Sequence, residues 1–85
     1  MPNPINVEIL LFARAAEVAG AKQIHIELEG GSTIRDLRDK LESSFPDLQP
    51  IMAVSRWAVD NEFVDDATKL DGTESVAMIP PVSGG

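Results

Sequence analysis

Cysteine is absent from the 85 residues. Disulfide frameworks, zinc–thiolate sites, iron–sulfur clusters and a thiol nucleophile are therefore excluded. A single histidine, His25, rules out the two-histidine metal motifs. Basic residues are scarce, with 7 Lys+Arg against 14 Asp+Glu and a formal net charge of −7. Such a surface repels phosphate backbones and anionic lipid, so nucleic acid and membranes are not expected partners. Long apolar runs are missing too. The longest, Ile9 to Ala13, falls far short of the ~18 residues of a spanning helix. No basic patch precedes an apolar stretch near the N-terminus, so no secretory signal is expected and the expected location is cytoplasmic. At this length one domain with a thin core is possible, burying roughly 60–65% of the surface of the unfolded chain, and a deep enclosed active site is not expected.

What is present has clear periodicity. Ile5, Val7, Ile9 and Leu11 alternate with Asn6, Glu8, Leu10 and Phe12, the period-2 pattern of a strand whose second face turns apolar towards its end. Ala13 to Ala19 is Ala-rich and predicts a short helix capped by Gly20. Ile24, Ile26 and Leu28 alternate with His25, Glu27 and Glu29 in a second strand that ends at Gly30-Gly31. Thr33 and Asp36 have capping-box spacing before the apolar stripe Ile34, Leu37 and Leu41, which predicts the main helix. Asp36 and Lys40 stand in the favourable acid-first i, i+4 order, and Pro46 stops the helix. Met52 to Val59 predicts a third strand, Asp60-Asn61 a tight turn, Phe63-Val64 a short returning strand, Asp71-Gly72 another turn, and Val76 to Ile79 a last strand. The expected order is β-α-β-α-β-β-β. An antiparallel first pair and apolar first and last strands as central neighbours give a mixed sheet with the long helix across one face, an α+β fold.

Within that body no catalytic set emerges. His25 alternates with Ile24 and Ile26 and is expected at the surface beside Glu27. Ser43, His25 and Asp60 lack the spacing of a hydrolytic triad, and no G-x-S-x-G elbow is present. Asp65-Asp66 lacks the alternating ligands of a calcium loop, so a solvated turn is expected, and no metal site is assigned. Trp57 is expected as a partly buried strand aromatic, and Gly30-Gly31 as a turn without phosphate-loop spacing.

The C-terminal residues differ. At an average usage of about 7%, two final glycines occur in roughly 0.5% of chains by chance. Pro80-Pro81 fixes φ at two positions directly after a buried strand and so launches the last residues in a set direction. Val82-Ser83-Gly84-Gly85 then offers little bulk, and glycine passes through channels too narrow for side chains. The remaining reactive group is the terminal carboxylate of Gly85. It becomes electrophilic once activated as an acyl-adenylate. Another enzyme must supply that activation, since the chain has neither a P-loop nor a nucleotide-binding glycine motif.

The segment Ile79-Pro80-Pro81-Val82-Ser83-Gly84-Gly85 resembles the tail of the small subunits of molybdopterin synthase, sulfur carriers with a ubiquitin-like β-grasp fold. Phe12-Ala13-Arg14 with the Ala-rich turn to Gly20, the stretch Ala58 to Val64, Leu70-Asp71-Gly72 and Val76-Ala77 are similar to other parts of that family. Two departures lie in turns: Asp60 where the family often has Asn, and a Gly72-to-Val76 stretch longer by one residue. The resemblance implies a β-grasp domain over residues 1–81 and a flexible tail over 82–85. It implies that Gly85, preceded by Gly84, is adenylated by a ubiquitin-activating-like enzyme using ATP and magnesium, and that a sulfurtransferase then makes the thiocarboxylate. Sulfur would pass to cyclic pyranopterin monophosphate in the large subunit of a heterotetramer, forming the molybdopterin dithiolene. This chain would bind no cofactor and would be the sulfur donor, with the acids and bases supplied by its partner. Phe12, Phe63 and Ile79, with Pro80, Pro81, Val82 and Ser83, would be the partner-binding residues, although Phe12, Phe63 and Ile79 also suit a core. Alternatives are a thiamin-type sulfur carrier, a ubiquitin-like modifier joined to lysines through Gly85, and an interaction module with an inert tail.

Overall fold

The computed structural model describes residues 3–81, so the expectations placed on Val82, Ser83, Gly84 and Gly85 lie outside the described residues. The first strand, β1 (Pro4–Leu11), is followed by α1 (Arg14–Ala19) and β2 (Gln23–Glu29). Next come α2 (Ile34–Ser44), a 3-10 turn (Pro46–Leu48) and a one-turn helix α3 (Gln49–Met52). The chain then forms β3 (Arg56–Val59), β4 (Glu62–Val64) and β5 (Ser75–Ile79). The strands lie in the order β2-β1-β5-β3-β4. β1 runs antiparallel to β2 and parallel to β5, while β3 runs antiparallel to both β4 and β5. The first and last strands are thus central neighbours, as their apolar content requires.

Register puts the hydrophobic sets on one face. Val7 and Ile9 stand opposite Ile26 and Ile24 of β2, and Ile9 and Leu11 stand beside Val76 and Met78 of β5. Trp57 of β3 pairs with Met78 and extends that row. All of these except Ile24, which is half-buried, are buried, and α2 covers them with Ile34, Leu37 and Leu41, each fully buried. Enclosing a side chain of this size stabilises the fold by about 1.5–3 kcal/mol relative to leaving it in water. The indole Nε1 of Trp57 is, among the described residues, the one buried side-chain polar atom without a partner.

The main helix starts as its spacing dictates. Asp36 N–H donates to Thr33 Oγ1 at 3.3 Å, and Thr33 N–H donates to Asp36 Oδ2 at 2.9 Å. That capping box takes the Asp36 carboxylate back to the helix start. The expected Asp36–Lys40 ion pair is not formed; the side chains paired among the described residues are Arg38–Asp66 and His25–Glu8. Pro46 ends α2 as expected and opens the 3-10 turn, where its fixed φ is an advantage and its missing N–H costs nothing.

The third strand is shorter than its apolar run. Residues 49–52 are helical, residues 53–54 turn, and only Arg56–Val59 is extended. Pro50 suits a first helical turn, and Ser55 Oγ donates to the Ile51 carbonyl at 2.6 Å to close it. Met52 thereby faces the core while Val54 remains 61% exposed. Asp60 and Asn61 both have positive φ, at 49° and 72°, forming the hairpin between β3 and β4. Asp60 also ties the turn to β5, since its N–H donates to the Ser75 carbonyl at 2.9 Å and its Oδ1 accepts from Ser75 N–H at 3.0 Å.

Candidate functional site: the open sheet face beside the C-terminal segment

Among the described residues no helix packs on the second face of the sheet. Strand parity and register place on it Asn6, Glu8 and Leu10 of β1, Gln23, His25, Glu27 and Glu29 of β2, Ser75, Ala77 and Ile79 of β5, Arg56 and Ala58 of β3, and Phe63 of β4. The face changes character along the strands. One end is acidic, with Glu27 opposite Asn6 and Glu8 between His25 and Ser75. His25 Nε2 lies 3.8 Å from Glu8 Oε2, with both side chains substantially exposed, so the only histidine is a surface residue as expected. The other end is apolar. A continuous row runs Leu10–Ala77–Ala58–Phe63, and the next row pairs Ile79 with Arg56.

Ile79 is the last residue of β5, and Pro80-Pro81 follows it. The apolar end is therefore the end from which the C-terminal segment departs. Phe12 lies immediately beyond Leu11, which is level with Met78 in the register, so it reaches the same edge as Ile79. Phe12 is 48% exposed and Phe63 53% exposed, while Ile79 and Pro80 are half-buried and Pro81 is exposed. The two phenylalanines are thus not core residues. Ala58 is buried yet lies outside the main core, flanked on the open face by Phe63 and Ala77.

Two features of this end are not evident from composition. Arg56 stacks its guanidinium over the Phe63 ring, with Cζ 3.7 Å from the ring centroid. Strand parity alone puts Arg56 on the face of Ala58, but a strand drawn from Met52 hides that it opens β3. Ala13 links β1 to α1 with φ 52° and ψ −126°, a conformation strained for any residue with a Cβ. Beside it an open cleft of about 400 Å³ is bounded by Leu10, Leu11, Phe12, Ala16, Lys22 and Gln23. Phe12 is thereby held at the lip of an apolar hollow.

The opposite side of the molecule is polar. A hollow of about 370 Å³ between α2, α3 and the loop after β4 is lined by Arg35, Arg38, Asp39, Glu42 and Asp66. There Arg38 Nη1 contacts both Asp66 oxygens, at 2.8 and 2.7 Å. The solvated turn expected at Asp65-Asp66 is present, with Asp65 Oδ1 accepting from Ala67 N–H at 3.0 Å. In the loop before β5, Thr73 donates from both its hydroxyl and its backbone N–H to Asp71 Oδ1, which holds that carboxyl below its ordinary value of 3.8. Among the described residues no three acidic or histidine side chains come together as a metal site, and no helix is long and apolar enough to cross a membrane. The body therefore offers a contact surface next to a departing segment, and the chemistry assigned to Gly84 and Gly85 lies outside the described residues.

Comparison with known proteins agrees in sequence and in fold. Residues 9–85 match the ThiS family. A molybdopterin synthase sulfur carrier subunit of Dictyostelium discoideum is 40% identical over 81 residues, covering 92% of this chain and 94% of that protein. Its counterpart in Arabidopsis thaliana is 32% identical, covering 95% of this chain and 84% of that protein. The crystal structure of SAMP1 from Haloferax volcanii superposes with a TM-score of 0.84 at 27% identity, covering 94% of this chain and 99% of the other.

Proposed function

Since the chain belongs to the ThiS family, with a β-grasp body and a match that runs through Gly85, we propose that it is the sulfur carrier subunit of a molybdopterin synthase. The observation that carries this proposal is its 40% and 32% identity, over nearly all of the chain, to proteins named as such subunits.

The chemistry falls on the carboxylate of Gly85. A ubiquitin-activating-like enzyme uses ATP and magnesium to form the acyl-adenylate, releasing pyrophosphate. A sulfurtransferase supplies sulfur that displaces AMP and leaves a thiocarboxylate. The large synthase subunit then receives the tail, and sulfur passes to cyclic pyranopterin monophosphate, restoring the carboxylate. Two such transfers complete the dithiolene. The body's part is to dock. Its apolar end covers a partner beside the point where Pro80-Pro81 aims the tail, so Val82, Ser83, Gly84 and Gly85 enter the partner's site while Phe12, Phe63 and Ile79 hold the contact. An interface with an apolar centre and a polar rim fits this face. The assembly is a heterotetramer with a large-subunit dimer at its centre, located in the cytoplasm.

A second reading is supported by the fold likeness to a chain called SAMP1 and by the 31% identity to small archaeal modifier protein 1 of H. volcanii. The same adenylate attacked by a lysine amine instead of sulfur gives an isopeptide-linked modifier. A thiamin-type carrier shares the thiocarboxylate and differs in the recipient.

Intact-mass measurement after incubation with ATP, the adenylating enzyme and a sulfur donor tests the proposal. The expected result is a gain equal to the exchange of one oxygen for sulfur, localised to Gly85, followed by molybdopterin formation when the large subunit and pterin are added. No gain, with an activating enzyme competent on another carrier, would refute it. High-mass conjugates that vanish on deletion of Gly85 would establish the modifier.

A further inference from the structure

We propose that Arg56 sets the orientation in which the open face docks, by pairing with a carboxylate that the large subunit presents within an otherwise apolar contact. This rests on the large subunit being the partner and adds the chemistry of that partner's surface.

Three placements lead to it. Register puts Arg56 directly beside Ile79, the last strand residue before Pro80-Pro81. The guanidinium lies 3.7 Å over the ring of Phe63, the most exposed aromatic side chain. Among the described residues Arg56 is the only lysine or arginine on the open face and makes no ion pair. A protein surface that closes on both Ile79 and Phe63 must also close on Arg56, because the cation stands between them. An arginine buried without an acid loses its hydration and keeps only the Phe63 ring in return, with its N–H donors unpaired. A carboxylate opposite it accepts two parallel N–H bonds in the geometry the planar group provides. Stacking on Phe63 holds that plane ready, so little side-chain freedom remains to be lost on binding.

The charge of the whole chain gives the pair its use. With a net charge of −7, long-range attraction favours a basic partner surface. One cation among apolar groups is an inverted contact. A partner rotated away from the productive orientation sets its own basic groups against Arg56, and a repulsive element of this kind excludes wrong registers. Orientation matters because the tail must enter one particular channel.

Binding of the purified large subunit to Arg56→Leu, Arg56→Lys and Arg56→Glu tests this, with thermal melting of each variant alongside. Arg56→Leu is expected to weaken binding about 30-fold or more, with Arg56→Glu weaker still and Arg56→Lys intermediate, all with melting close to the parent protein. Partial recovery by Lys separates charge from packing. If Arg56→Leu binds as tightly as the parent, or more tightly, the contact is simply apolar and the inference fails. If the parent chain itself does not bind the large subunit, the functional proposal fails, and the inference loses its partner.

Discussion

Gly72 shows how a single missing Cβ holds a loop in place. Its φ is +97°, and a Cβ there would stand 2.9 Å from Cβ and 3.2 Å from Cγ2 of Ile5. Ile5 belongs to β1 and stands opposite Leu28 of β2, so the sheet resists its displacement. Gly31 also has positive φ, at +87°, but nothing lies within 4 Å of the position its Cβ would take. The two sites separate backbone strain from steric clash. Gly31→Ala should cost about 1–2 kcal/mol from the left-handed backbone alone. Gly72→Ala should cost about 1–3 kcal/mol more, because overpacking is added. Urea denaturation of both variants checks this, and equal losses would place the cost in the backbone only. At this scale the sequence reveals turn glycines and the Asp60-Asn61 hairpin, since these residue types tolerate positive φ. It does not reveal Ala13 at φ 52°, because alanine is elsewhere the best helix former and its strain here is imposed by the junction between β1 and α1.

Among the elements, α2 shows local and tertiary signals in agreement. Its stripe of Ile34, Leu37 and Leu41 is buried against the sheet, and its first turn is closed by the reciprocal Thr33–Asp36 bonds. Thr33→Ala removes the acceptor for Asp36 N–H and is expected to destabilise the protein by about 1 kcal/mol, whereas Thr33→Ser should retain most of it. Chemical denaturation of the pair tests the assignment, and identical midpoints for Ala and Ser would show that the cap contributes nothing. The stretch after α2 is less legible. Ile51, Met52, Ala53 and Val54 form a short apolar run that fits a buried strand or a helical turn equally by periodicity. What decides is Pro50 at the start of the turn and the packing of Met52 beneath the sheet, and only the first of these is visible in the chain. The Asp36–Lys40 pair is absent because the capping bonds turn the Asp36 carboxylate back to Thr33 at the helix start, and Lys40 lies one turn further on.

Across the whole molecule the sheet divides labour between its faces, one sealed by α2 and the other left open with its apolar end beside the departing C-terminal segment. The parity of β1 and β5 already separates Phe12 and Ile79 from Leu11 and Met78, so these docking candidates are legible in the chain. Whether an off-face apolar residue is covered depends on what the fold places over it, and among the described residues that cover is partial: the Arg56 guanidinium lies over Phe63, yet about half of Phe12 and of Phe63 remains in water. Phe63→Asp discriminates docking from folding. It removes a ring that contributes little to the core and a cation–π contact worth about 0.5–1 kcal/mol at an exposed site. Melting should therefore fall by no more than roughly 4–8 °C, the shift that accompanies 1 kcal/mol in a domain of this size. Affinity for the large subunit should fall at least about tenfold, since an exposed aromatic contact is lost and a charge takes its place. Calorimetric titration and thermal melting on one preparation measure both quantities. Loss of cooperative folding would mean that the ring supports β4 and the hairpin after all. Unchanged affinity with an intact fold would move the contact surface away from this face.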